Sequence, residues 1–141
     1  YLDGRPGIVW CMRNAEEAAV KAMLGKSVAV INGAMPVEER VELVDAYRAG
    51  DLRYLVSKPR VLGWGVNLPE TNHMVYSGFG WSFEEFYQAV RRGHRYGRVG
   101  TLQVRIPYTD PEVAILTTLR EKMDRFSGDV RAMQDRFWTK R

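Results

Sequence analysis

Cysteine is nearly absent from this sequence. Cys11 stands alone among 141 residues, so an internal disulfide framework is excluded and a reducing compartment suits the chain. Two histidines, His73 and His94, and the one cysteine are too scattered to make a metal site. Long apolar runs are missing too. No stretch approaches the roughly 18 apolar residues that a membrane helix needs, although an apolar content of 45% supplies a sizeable core. Acidic residues are missing from two places. From Arg91 to Arg105 there are five arginines and neither Asp nor Glu; from Leu52 to Pro69 there is again no acid, beside Arg53, Lys58 and Arg60. The net charge of +4 and pI near 9.4 favour an acidic partner such as nucleic acid.

A phosphate-binding loop is also lacking. The "GKS" at 25–27 has the ending of one, but the glycine required five residues before it would fall on Val20, and the stretch follows a helix pattern where a strand is required. No strand ends in a carboxylate pair suited to magnesium. Glu16–Glu17, Glu38–Glu39 and Glu84–Glu85 fall in first turns of helices, where they complement the dipole. Cys11 lies in an apolar strand and reads as an inert core thiol. The chain opens on Tyr1 without an initiating Met or a signal segment, so we expect a cytoplasmic piece of a longer protein.

What is present alternates between strand and helix. Strands are expected at 7–12, 27–31, 53–57, 73–77 and 101–109. Asn14 with Glu17 forms a capping box for a helix ending at Gly25. Pro36 opens a helix whose Val37, Val41, Val44 and Tyr47 have helical spacing, and Gly50 closes it. Ser82 with Glu85 caps a helix over 83–95, with Trp81 and Phe86 as its staple. Asp110 caps a helix from Pro111 to Phe126, which Gly128 separates from a last basic helix at 129–138. This alternation predicts an α/β fold: a mostly parallel sheet flanked by helices, with ligands at the carboxyl ends of the strands. One domain over 1–141 is expected, with 110–141 a helical extension.

Two stretches carry candidate chemistry. In "QAVRRGHRYGR" (88–98), Gln88, Arg92 and Arg95 recur at helical spacing on one face, while Phe83, Tyr87 and Val90 line another face suited to the core. Arg92 and Arg95 are expected to stand in solvent. Guanidinium forks match phosphate oxygens. A plain solvated face is the alternative, but Gly93 and Gly97 argue for close approach or a turn. In "SKPRVLGWGVNLPETN" (57–72), Gly63 and Gly65 admit a close ligand or backbone, and Trp64 either plugs the core or stacks on a nucleic acid or partner lobe.

Together these residues resemble the second RecA-like lobe of superfamily 2 helicases and translocases, in particular the Swi/Snf-like group. "QAVRRGHRYGR" resembles motif VI of that family at Gln88, Arg92, His94, Arg95 and Gly97. "GWGVNL" resembles motif V at Gly63, Gly65, Asn67 and Leu68. "INGAMPVEER" resembles its glycine–arginine segment at Gly33 and Arg40, and "IVWCMRNAEEAAVKAM" has the form of motif IV. The likeness runs from about residue 5 to 109. Two positions depart from the pattern: Lys58-Pro59 stands where Ser-Thr usually opens motif V, and Arg98 where glutamine closes motif VI. The "SKP" and "YQAVRR" forms are similar to phage and prophage members.

The resemblance implies one lobe of an ATP-driven motor on duplex DNA, in a bacterial or phage-infected cell. ATP and Mg2+ would be held mainly by a first RecA-like lobe, the partner that supplies the phosphate loop and the acids. Arg95 would be the arginine finger and Arg92 its companion at the catalytic step. Gln88, Gly65 and Asn67 would line the ATP side. Lys58, Arg60 and Trp64 would meet nucleic acid. No membrane partner is implied. Two alternatives share these motifs: a non-catalytic nucleic-acid-binding module of RecA-like shape, and the motor lobe of a restriction enzyme.

Overall fold

The computed structural model describes residues 2–62, 66, 68, 71–78, 80, 82–93 and 100–138, with side chains as far as residue 128. The elements in chain order are β1 (Gly7–Trp10), α1 (Asn14–Leu24), β2 (Val28–Ile31), α2 (Val37–Ala49), β3 (Tyr54–Ser57), α3 (Pro59–Leu62), β4 (His73–Tyr76), α4 (Phe83–Gly93), β5 (Gln103–Arg105) and α5 (Val113–Trp138). The five strands form one parallel sheet in the order β2-β3-β1-β4-β5. Parallel strands are covered on both faces, which is why "GIVW" and "YLVS" are buried at every position.

Successive side chains alternate between the two faces. Val9, Cys11, Val56 and Val75 join Leu2, Val28 and Tyr54 in one core cluster, against which Val20 and Leu24 of α1 pack. The alternate residues Ile8, Trp10, Leu55, Met74 and Tyr76 are likewise buried and serve the other face. There the Tyr76 ring lies 6.4 Å from Trp10 and 5.2 Å from Phe86 of α4, and its hydroxyl donates to the Phe86 carbonyl at 3.3 Å.

Two compact units divide the chain: Tyr1–Phe79 with Glu84–Pro107, and Gly80–Phe83 with Tyr108–Arg141. The first holds the sheet. The second holds α5 and pairs the Phe83 and Phe126 rings at 5.9 Å.

Several local expectations are corrected. Asn14 does not cap α1: Arg13 occupies that position without a side-chain cap bond, and Glu16 Oε2 takes the Met12 N–H at 2.8 Å. The last helix is preceded by a 3₁₀ turn capped by Thr109 rather than Asp110. Thr109 N–H and Oγ1–H both donate to Glu112 Oε2, at 2.8 and 2.7 Å. Gly128 does not end it; α5 runs through to Trp138. A lone glycine weakens a helix by about 1 kcal/mol, which does not stop one unless it turns left-handed. Gly50 does turn left-handed (φ 88°) and closes α2 as expected.

Candidate functional site

The helix of the arginine stretch is built on small residues. Ala89 and Gly93 are its buried positions, and Phe86 stacks on Tyr76. These stand at i, i+3 and i+7 and form the inward line of α4. Phe83, Tyr87 and Val90, expected to be that line, are only half-buried. The reason is visible at Gly93. A Cβ there would fall 2.9 Å from Met74 Cε, 3.3 Å from Leu102 Cδ1 and 3.4 Å from the Thr71 carbonyl. The end of the helix lies close against Met74 and Leu102, so a larger residue there would have to push the Met74 methyl aside. The close approach expected at residue 93 is therefore present.

Around this axis the polar residues take distinct places. Gln88 is exposed and donates to Glu84 Oε1 at 2.8 Å. Arg91 is exposed and lies over the Tyr87 ring, 5.5 Å from its centroid. Arg92 is half-buried, with Nε shielded from solvent, and not fully exposed as expected. It sits beside Gly93, where the last turn closes on the sheet. The Arg92 carbonyl, an orphan acceptor at the helix end, takes the Leu68 N–H at 3.0 Å. Leu68 is fully buried, and Thr71 N–H in turn donates to its carbonyl at 3.0 Å. Thr71 then meets the Tyr47 hydroxyl of α2 at 3.0 Å in the core. So Leu68 ties the glycine-rich stretch to the arginine helix through the backbone.

The entrance to that stretch is held as firmly. Ser57 is fully buried and donates Oγ–H to the Ile31 carbonyl at 2.7 Å, locking the end of β3 to β2. Lys58 is half-buried and donates to Asn14 Oδ1 of α1. Arg60 donates Nε–H and Nη2–H to Glu85 Oε1 of α4, each at 2.6 Å. Both cations expected beside nucleic acid thus have partners within the lobe. Asn14 and Glu85 were not singled out as such partners, because sequence spacing cannot reveal pairs that lie 44 and 25 residues apart.

The glycine–arginine segment is a self-closing loop. Asn32 Oδ1 accepts the N–H groups of Ala34 and Met35 at 3.0 and 3.2 Å. Arg40 spends its guanidinium on the carbonyls of Met35 and Gly33, at 2.9 and 2.8 Å. Its charge is used to shape the turn after β2.

A carboxylate group crowds the ends of β1 and β4. The Ser77 hydroxyl lies 3.2 Å from Glu16 Oε2 and 3.3 Å from Cys11 Sγ. Burial pushes the Cys11 thiol up, which keeps it protonated and inert. Glu17 is buried, and its Oε1 has no hydrogen-bond partner. Burial raises its pKa, against an opposing pull from Lys58.

Arg95, Gly65, Asn67 and Trp64 lie outside the described residues. Of the expected site, the structure brings Arg92 and Leu68 together, and hangs Arg60 on the same helix through Glu85. Gln88 and the Arg92 guanidinium offer N–H donors that fit phosphate oxygens. Magnesium finds no matching donor set: among the described residues no three His, Cys, Asp or Glu side chains are grouped to hold a metal. No helix among them is long and apolar enough to cross a membrane.

A Bacillus subtilis (strain 168) protein named "Putative ATP-dependent helicase/translocase YwqA" is 25% identical over 113 residues, 80% of this chain; the chain spans only 12% of its length. Among solved structures, the C-terminal part of the Fun30 ATPase domain superposes with a TM-score of 0.72 at 19% identity, over 83% of this chain and 40% of that one. The C-terminal domain of the DEAD-box protein Dbp5 gives 0.69 at 19% identity, over 84% and 70%. The parallel five-stranded sheet is the fold of these RecA-like lobes. The profile of the helicase conserved C-terminal domain matches residues 3–97, from the turn before β1 to the end of the arginine stretch, and the chain belongs to that family.

Proposed function

We propose that this chain is the second motor lobe of an ATP-dependent superfamily 2 helicase or translocase, of the Swi/Snf-like group, acting on duplex DNA. The observation that carries the reading is the backbone bond from Leu68 to Arg92, which joins the segment resembling motif V to the helix resembling motif VI. A motor needs its nucleic-acid side and its nucleotide side to move as one, and a bond between these two segments supports reading them as coupled. Residues 1–141 would be one lobe, with 110–141 its helical extension.

In this reading a first lobe holds ATP and Mg2+, and Gln88, Gly65 and Asn67 border the nucleotide. Arg92 and Arg95 donate to the phosphate oxygens on which charge builds as the terminal phosphoryl group departs. Gly93 fixes how far α4 stands from the sheet, and so how far those arginines reach. Lys58, Arg60 and Trp64 form part of the DNA track. Lys58 and Arg60 meet phosphate by exchanging Asn14 and Glu85 for it.

The test is turnover in the complete protein. Arg95→Ala should lower kcat on the order of 10³- to 10⁵-fold, with nucleotide affinity changed far less. Arg95→Lys should not rescue, because an ammonium lacks the planar fork. Arg91→Ala, about 100° away around the helix from Arg92, should stay near the parent rate. Loss of turnover in Arg91→Ala with Arg95→Ala intact would show that the register of the motif is wrong.

A further inference from the structure

The segment between Arg60 and Leu68 is fastened to α4 at both ends. At one end the buried Leu68 N–H donates to the Arg92 carbonyl at 3.0 Å. At the other, two Arg60 N–H groups reach Glu85 Oε1 at 2.6 Å. Glu85 and Arg92 are seven residues apart, so they lie about 10 Å apart along the helix and only about 20° apart around it. Both fastenings therefore grip the same side of α4.

They differ in how easily they release. The backbone bond is buried, and breaking it would strand two polar groups. The Arg60 side chain, by contrast, is 80% exposed against 22% for Glu85. An exposed ion pair contributes at most about fivefold to an equilibrium. Its geometry also leaves room for a better partner: both Arg60 donors converge on one carboxylate oxygen, whereas a phosphate offers two oxygens to the fork. Glu85 occupies the first turn of α4, where the helix dipole stabilises its charge without Arg60.

We propose that Arg60 and Glu85 are positioning residues forming a releasable tie, in which a nucleic-acid phosphate and the Glu85 carboxylate compete for the Arg60 guanidinium. With no nucleic acid, Arg60 holds the first turn of α4. With a phosphate on Arg60, that turn loses its tie to α3 and keeps only its ring packing through Phe83 and Phe86 and its other local contacts, while Leu68 still pins the last one. That turn carries Glu84 and, bonded to it, Gln88. Arrival of DNA is thereby felt on the helix that bears the arginines. This inference rests on the proposed motor reading for its ligand.

A double-mutant cycle in the complete protein tests it, read as Kd for a short blunt DNA duplex without nucleotide, and separately as duplex-stimulated against basal turnover. Glu85→Gln should tighten binding by about two- to fivefold, since Arg60 no longer has a competitor. The same substitution should reduce the ratio of stimulated to basal turnover, so affinity and stimulation move in opposite directions. A role limited to stability would not produce that split. In an Arg60→Gln background, Glu85→Gln should leave Kd unchanged. Equal tightening in both backgrounds would mean a general effect of lost negative charge and would overturn the tie. No tightening in the parent background would overturn it too. Either result would leave the Arg95→Ala outcome standing, and a silent Arg95→Ala with an intact cycle would sink the motor reading alone. Failure of the complete protein to bind duplex at all would overturn both.

Discussion

At the scale of single residues, Glu17 carries a cost that depends on pH. It is a buried carboxyl in the first turn of α1, with one oxygen unpartnered, and burial raises its pKa above the ordinary value. The unfolded chain releases this proton at a lower pH than the folded chain does. Stability from this group is therefore full below the ordinary carboxylate pKa and is lost as pH rises through the folded value. Glu17→Gln keeps the shape and removes the charge. It should raise the melting temperature at pH 7.5, with the gain fading towards pH 4, where the parent carboxyl is already neutral. Thermal denaturation at the two pH values checks this. An equal gain at both, or a loss at pH 7.5, would mean that the charge is compensated by Lys58.

At the scale of elements, one substitution acts with opposite signs in two helices. Nothing lies within 4 Å of a Cβ built on Gly128, in the middle of α5. Gly128→Ala should stabilise by about 0.5–1 kcal/mol through helix propensity alone. Gly93→Ala must push aside the flexible Met74 methyl and crowds Leu102, and should cost up to about 1 kcal/mol net of the propensity gain. Denaturant midpoints of the two variants should move in opposite directions; movement in the same direction would contradict the packing of α4 on β4. This contrast also marks what the sequence made legible. All five strands lie where apolar runs predict them, because a strand covered on both faces needs such a run. Their ends do not. β5 keeps only Gln103–Arg105 of the expected nine residues, since its one neighbour offers only His73–Val75 as partners. The inward line of α4 was missed because Ala89 and Gly93 are small, and a search for large apolar residues passes over a helix that packs by its backbone. Pairs such as Arg60–Glu85 depend on topology, which no local pattern encodes. For the candidate site, Gln88 and Arg92 were legible as one helix, but the partial burial of Arg92 depends on tertiary packing that local spacing does not encode.

At the scale of the whole molecule, charge decides the response to salt. The lobe carries +4, yet its Arg40, Arg48, Lys58 and Arg60 are engaged by carbonyls, carboxylates or an amide of the lobe itself. Binding to duplex DNA should be weak, indifferent to sequence and carried by phosphate contacts. With about 3 to 5 contacts, log affinity should fall against log salt with a slope of roughly −3 to −4.5. Arg60→Ala should reduce the magnitude of that slope by about 1. Binding that ignores salt would point to a protein surface as the ligand instead.

The strand order has a consequence in time. β1 is made first, yet it ends at the centre of the sheet, with β3 on one side and β4 on the other. During synthesis Gly7 waits for Tyr54, and Ile8 for Met74. Among the described residues every pairing is parallel and spans a crossover, so these strands offer no early hairpin. The nascent chain therefore carries an apolar strand with two open edges until its third and fourth strands leave the ribosome. Long-range pairings of this kind slow folding and lengthen exposure to aggregation. A translational pause placed before residue 73 would hold the chain in its most vulnerable form.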